Sequence, residues 1–356
     1  MYKDSVYCDH MMSSVSVLTL AAALDDARGC TKLHLLLGNG FSIACRPNIF
    51  VYKRLFEQAD FTALSPSVRG AFAALGTQDF ERVIKALRDA AALLAAYPHI
   101  PSGLAVQLAA DADALRELLV RTIASSHPER PSDITEEEYA ACKAFLAPFD
   151  TTYTLNYDLL LYWAFMHNDE GTDPVSDDGF RTPDGDADAA YVTWEPSNTY
   201  KQTLWFLHGA LHLFDAGSEI QKYTWINTGV RLIEQVRGAL QRNAFPVFVA
   251  EGTSDEKYTR IRHSDYLSKA YRSFSEITGA LFIFGHSLAE NDEHYLKRIE
   301  KGKLSHVYFG LHGDAGTPAN QAIIARALRL NSLGRKRALA VAFFDTASAN
   351  VWGHAV

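Results

Sequence analysis

The chain has 356 residues, of which 48% are hydrophobic and 21% charged, and a formal net charge of −8. Such a balance describes a globular chain with enough apolar surface for a sizeable core, and it excludes an extended disordered protein. The net acidity speaks against a broad phosphate-binding face, so nucleic acid is not an expected direct partner.

Residues 11–24 are fairly apolar, yet three serines and a threonine interrupt them and the run is too short to cross a bilayer. They read as an amphipathic helix packed on the body, and a cytoplasmic protein with no membrane partner is expected. Short apolar runs follow at residues 33–37, 151–155, 203–207, 246–250, 280–284, 306–310 and 338–344, separated mostly by helix-like stretches. Buried strands alternating with helices predict an α/β fold: a Rossmann-like, mostly parallel sheet with helices on both faces, in a single domain over residues 1–356. Between the first two runs, residues 55–148 read as an inserted helical subdomain. Its alanine- and leucine-rich stretches 79–97 and 103–125 are punctuated by Pro98, Pro101, Pro128 and Pro131. Residues 171–199, dense in Gly, Pro, Asp and Asn, read as an acidic surface loop. Cys8, Cys30, Cys45 and Cys142 form no C-x-x-C pair, which predicts reduced thiols and no zinc site.

The first apolar run ends in Gly38-Asn39-Gly40-Phe41-Ser42. A glycine-bracketed turn between a strand and a helix lets backbone N–H groups approach a pyrophosphate, with the positive end of the helix behind them. An ordinary tight turn has the same look, and Ile43 stands where the dinucleotide fingerprint has its third glycine. Three more motifs each follow a predicted strand: Asn156-Tyr157-Asp158, His208-Gly209 and Gly285-His286-Ser287-Leu288, with Asn291, Asp292 and His294 behind the last. An open parallel sheet gathers ligands at the carboxyl ends of its strands, so these four ends are expected to form one site. Taken singly, Asn156 or Asp158 would serve as a helix cap and His208 as a turn or core residue.

In this order the motifs resemble the sirtuin superfamily, and more closely its zinc-free bacterial branch of NAD hydrolases in anti-phage defence. The family's G-A-G-x-S turn is similar to Gly38-Asn39-Gly40-Phe41-Ser42, and its Q-N-x-D to Leu155-Asn156-Tyr157-Asp158. Its catalytic H-G is similar to His208-Gly209, and its G-T-S-L to Gly285-His286-Ser287-Leu288. The resemblance implies NAD as substrate, cleaved to nicotinamide and ADP-ribose and so depleted, with no metal. It implies three catalytic residues: Asn156 orienting ribose or water, neutral His208 as general base, and Asp158 accepting from the nicotinamide carboxamide. Gly38, Asn39, Gly40, Phe41 and Ser42 would hold the diphosphate, and Gly285, Ser287 and Asp292 the adenosine side. A homo-oligomer and a ring-forming ATPase partner are implied by the resemblance alone. The missing zinc cysteines, and Leu155 in place of glutamine, point away from deacylation.

Alternatives stay open: a module that binds NAD or ADP-ribose without turnover, ADP-ribosyl transfer, or a dehydrogenase using Glu57 or Asp60 as its ribose acid. Phe41, Phe50 and Tyr52 read either as a cover over the cofactor or as core. Lys257 and Arg260, beyond Glu251 and Gly252, read either as loop contacts to phosphate or as surface charges.

Overall fold

The computed structural model describes residues 15–97, 99, 102–167, 176–199, 201–225, 227–249, 253–330 and 338–353. Its strands are β1 (Val17–Leu18), β2 (Leu33–Leu37), β3 (Thr151–Thr154), β4 (Phe180–Arg181), β5 (Tyr191–Trp194), β6 (Leu204–Phe206), β7 (Leu213–Asp215), β8 (Ile220–Tyr223), β9 (Thr278–Phe284), β10 (Lys303–Leu311) and β11 (Ala340–Asp345). Among the described residues, seven strands form one sheet in the order β1-β11-β10-β9-β2-β3-β6, every pairing parallel. β2 sits inside it, with Leu35 opposite Thr152 of β3 on one side and opposite Phe282 of β9 on the other. Leu35–Leu37 and Ala280–Phe282 are each no more than 1% exposed, as a sheet covered on both faces requires. The chain leaves β2 outward through β3 and β6, then returns across it to β9, so the strand order reverses between β2 and β9. In a Rossmann-like sheet that reversal opens a crevice at the carboxyl ends of the two strands.

The insertion between β2 and β3 is helical, as expected, with helices Pro47–Phe50, Tyr52–Gln58, Pro66–Ala74, Phe80–Ala95, Ser102–Ser126 and Glu136–Leu146. Asp79 starts one of them by accepting the Arg82 N–H at 3.2 Å, and Thr135 with Glu138 starts another through a reciprocal capping box. Apolar positions at helical spacing, among them Phe72, Phe80, Val83 and Ile84, face inward and are buried. Glu138 also accepts from both terminal guanidinium nitrogens of Arg46, which ties the last inserted helix to the segment just after the glycine turn. Leu55, Glu81, Leu119 and Ile123 of the inserted helices face the crevice. Among the described residues no helix is long and apolar enough to cross a membrane.

Three expectations are corrected. Residues 246–249 form no sheet strand: Phe248 makes a single antiparallel bridge to Gly209, Pro246 has no N–H to offer a ladder, and Ala250 lies outside the described residues. Of residues 11–24, Val17–Leu18 pairs with β11 as an edge strand, and the helix starts only at Leu20, where Thr19 accepts the Ala22 N–H. Residues 11–14, and Cys8 before them, lie outside the described residues. Within 171–199, β4 and β5 join β8 and β7 in a separate antiparallel sheet, and Phe180 and Trp194 are buried, so this stretch is structured rather than a surface loop; residues 171–175 lie outside the described ones.

Candidate functional site

At the reversal point the ends of β2 and β9 press together. Gly38 N–H donates to Phe284 O and Gly40 N–H to Gly285 O, both at 2.9 Å, and a Cβ on Gly40 would lie 2.5 Å from the Gly285 Cα. The glycines are required because backbone meets backbone. Beside this contact opens a cavity of about 510 Å³, within the usual range for ligand pockets. Of the residues expected from sequence, Gly38, Asn39, Gly40, Asn156, Asp158, His208, Gly285, Ser287 and Asp292 all line it. The four strand ends therefore converge, and His312 and Thr346 extend the wall under β10 and β11.

Phe41 and Ser42 do not line it; both are fully buried. The Phe41 ring packs 5.1 Å from that of Trp352, whose indole N–H donates to Phe41 O at 3.0 Å. Its place as a diphosphate contact or cofactor cover is corrected: it is core, as helical burial next to a sheet end dictates. Phe41→Ala is expected to cost about 3–5 kcal/mol in denaturant unfolding, where a ligand cover would cost little. The diphosphate cradle is also narrower than expected, since the N–H groups of Gly38, Gly40 and Phe41 are already donated to Phe284 O, Gly285 O and Gly38 O.

Ser42 serves the site from behind. Its hydroxyl donates to Asp158 Oδ2 at 2.5 Å and accepts from Asn156 Nδ2 at 2.9 Å, which fixes the orientation of the Asn156 amide and leaves its Oδ1 for a ligand. Asp158 Oδ1 accepts the Leu160 N–H at 2.9 Å at the start of helix Leu160–Met166. Burial pushes the Asp158 carboxyl up, against the hydrogen bonds from Ser42 and Leu160. Asp158 thus orients Asn156 through Ser42 and holds the first N–H of that helix, and it also lines the cavity, where the resemblance puts a carboxamide acceptor.

His208, at the end of β6, is 2% exposed, and its Nε2 has no hydrogen-bond partner. That nitrogen lies 3.6 Å from Asp292 Oδ1. Burial and the nearby Lys257 charge hold the His208 imidazolium well below the ordinary histidine range, so the ring is neutral. Asp292 accepts from His286 Nε2 at 3.0 Å, and Leu288 N–H donates to His286 Nδ1 at 3.1 Å, which puts the His286 proton on Nε2. Lys257 is 1% exposed and donates to Asp292 Oδ1 at 3.1 Å and to Glu81 Oε2 at 3.4 Å. Burial alone would raise the Asp292 carboxyl, but Lys257 and the histidines reverse it and keep Asp292 ionised. Burial alone would likewise neutralise Lys257, but Glu81 and Asp292 keep it charged.

Sequence reasoning missed this centre. Lys257 is neither a surface charge nor in a loop: helix Ser254–His263 turns it inward, while Arg260 of the same helix does not line the cavity, and Glu251 and Gly252 lie outside the described residues. Glu81 comes from the first turn of helix Phe80–Ala95, and burial raises its carboxyl to about 7 even against Lys257. The only signal was an acidic pair, Asp79 and Glu81, which reads as ordinary helix capping. Asp292, expected on the adenosine side, sits beside His208. His208, Asp292 and His294 place ligand atoms within 4.8 Å of one another, and His294 Nε2 is also unpartnered. The Lys257 ammonium, which donates to Asp292 Oδ1 at 3.1 Å, already places a cation beside these atoms and would repel a divalent ion.

A search of curated proteins finds no match to this chain. A family model matches residues 35–352, a span that includes every residue of the cavity wall. The chain belongs to the family described as Domain of unknown function (DUF4917).

Proposed function

We propose that the chain hydrolyses NAD at the nicotinamide glycosidic bond, giving nicotinamide and ADP-ribose. The observation that carries this reading is the joint presence of the Asn156 amide and the neutral His208 imidazole in one cavity at the strand-order reversal. The motif order that resembles the sirtuin superfamily supports it. In the reaction the bond from ribose C1′ to the nicotinamide nitrogen breaks, and the electron pair leaves with neutral nicotinamide. A water oxygen bonds to C1′, and its proton passes to His208 and then to solvent. Positive charge builds on the ribose in the transition state, and the ionised Asp292 of the cavity wall would favour it. Asn156 Oδ1, in the cavity wall, would hold a ribose hydroxyl or the water. A role in anti-phage defence by NAD depletion, with a homo-oligomer or a ring-forming ATPase partner, belongs to the same reading and rests on the resemblance alone.

The test is nicotinamide release from NAD by the purified chain and by cells expressing it. Asn156→Ala and His208→Ala are each expected to lower release by about 100-fold or more. Equal release from the native chain and both variants would remove the assignment.

A further inference from the structure

We propose that Lys257, seated by Glu81 of the helical insertion, is a positioning residue that acts through Asp292 to set the proton of His208. The proposal deepens the hydrolase reading and rests on it for its kinetic consequence.

The geometry runs in one line through four elements. Glu81 Oε2 accepts from Lys257 Nζ at 3.4 Å and from Asn291 Nδ2 at 3.0 Å, so one inserted carboxylate holds both the lysine and the neighbour of Asp292. Lys257 Nζ donates to Asp292 Oδ1 at 3.1 Å, and the same oxygen faces His208 Nε2 at 3.6 Å. The opposite oxygen of Asp292 is fixed by His286. His208 Nε2 is enclosed and has no other partner, so an ionised Asp292 favours the proton on Nε2 and leaves Nδ1 bare.

Without the ammonium, the buried Asp292–His208 pair would bind a proton at higher pH, held between the carboxylate and Nε2 and turning His208 toward the imidazolium. Lys257 also opposes protonation of His208 directly. The groups that face His208 are Asp292, Lys257, His286 and His294, with the rings of Tyr157 and Tyr295 at 6.2 and 5.6 Å. Of these only Asp292 favours the imidazolium, and after burial itself the Lys257 charge opposes it most. The chemistry of the base is in this way tied to how the inserted helices sit.

The experiment uses the full chain with ¹⁵N-labelled histidine. Imidazole ¹⁵N–¹H correlations report the His208 tautomer and its titration, and nicotinamide release is followed across pH on the same samples. In Lys257→Met the His208 midpoint is expected to rise by about one pH unit or more, and the acid limb of nicotinamide release to move up equally. Lys257→Arg is expected to restore both toward native values. Because Lys257→Met strands buried carboxylates, the double variant Lys257→Met with Glu81→Gln removes the pair together and guards against loss of folding. It is expected to show the same rise in midpoint. An unchanged tautomer and midpoint in either folded variant overturns the proposal. A shifted midpoint in a native chain that releases no nicotinamide overturns the hydrolase reading and leaves the positioning role standing.

Discussion

Gly209→Ala is expected to destabilise the chain by about 4 kcal/mol or more, and to lower its melting temperature by roughly 10 °C. Gly209 has φ +82°, and a Cβ there would lie 1.9 Å from Val247 O and 2.6 Å from the Val247 carbonyl carbon. Backbone cannot yield as a side-chain tip can. Residues 247–249 would have to leave their seat and give up two hydrogen bonds, Val247 N–H to Leu213 O at 2.7 Å and Val249 N–H to His208 O at 2.9 Å. Gly217→Ala separates the causes: Gly217 has nearly the same φ, +84°, but nothing lies within 4 Å of its would-be Cβ. That variant should lose only the left-handed backbone cost, about 1–2 kcal/mol. Thermal and denaturant unfolding of the two variants checks the difference. If Gly209→Ala is no worse than Gly217→Ala, the close approach of 247–249 does not hold this strand end in place.

Gly209 also shows what a sequence makes legible. A His-Gly pair after an apolar run marks a strand end, and six of the seven expected runs became sheet strands because a parallel strand buried on both faces must be apolar throughout. In the seventh run, residues 247–249 lie across Gly209 instead of joining the sheet, a tertiary fact that no periodicity reports. The two-residue β1 and the short strands β4 and β5 are too brief to show alternation. The strand-end motifs were legible because topology alone brings carboxyl ends together. The ion chain was not, since Lys257 meets Glu81 across 176 positions and Asp292 across 35, and a lysine on a polar helix gives no sign that its own face is the buried one. Phe41 and Ser42 failed for the converse reason. They belong to the right motif, but helix Gly40–Cys45, which contains them, turns them into the core.

Acid is expected to destabilise the chain through His127, and two variants should move the effect in opposite directions. His127 joins the insertion to the site: its Nδ1 donates to Pro128 O and its Nε2 accepts the Leu159 N–H, both at 3.0 Å, one residue from Asp158. Those bonds need a neutral ring, and burial lowers its midpoint from 6.5 to about 4. The unfolded chain therefore binds a proton first as pH falls, so the stabilisation is full above pH 6.5 and is lost between 6.5 and about 4. At about 1.4 kcal/mol per pH unit that is on the order of 3 kcal/mol. His294, also lowered to about 4 by burial, adds a loss of the same sign. Glu81 opposes them: its midpoint is raised from 4.5 to about 7, so the folded chain binds the proton first and gains stability as pH falls through that window. Unfolding free energies measured from pH 8 to pH 4 should thus show a net decline that His127→Gln flattens and Glu81→Gln steepens. His127→Gln should also be less stable at pH 8, where the Leu159 N–H loses its acceptor. Parallel pH curves for all three chains would mean that neither group carries a shifted midpoint in the folded state.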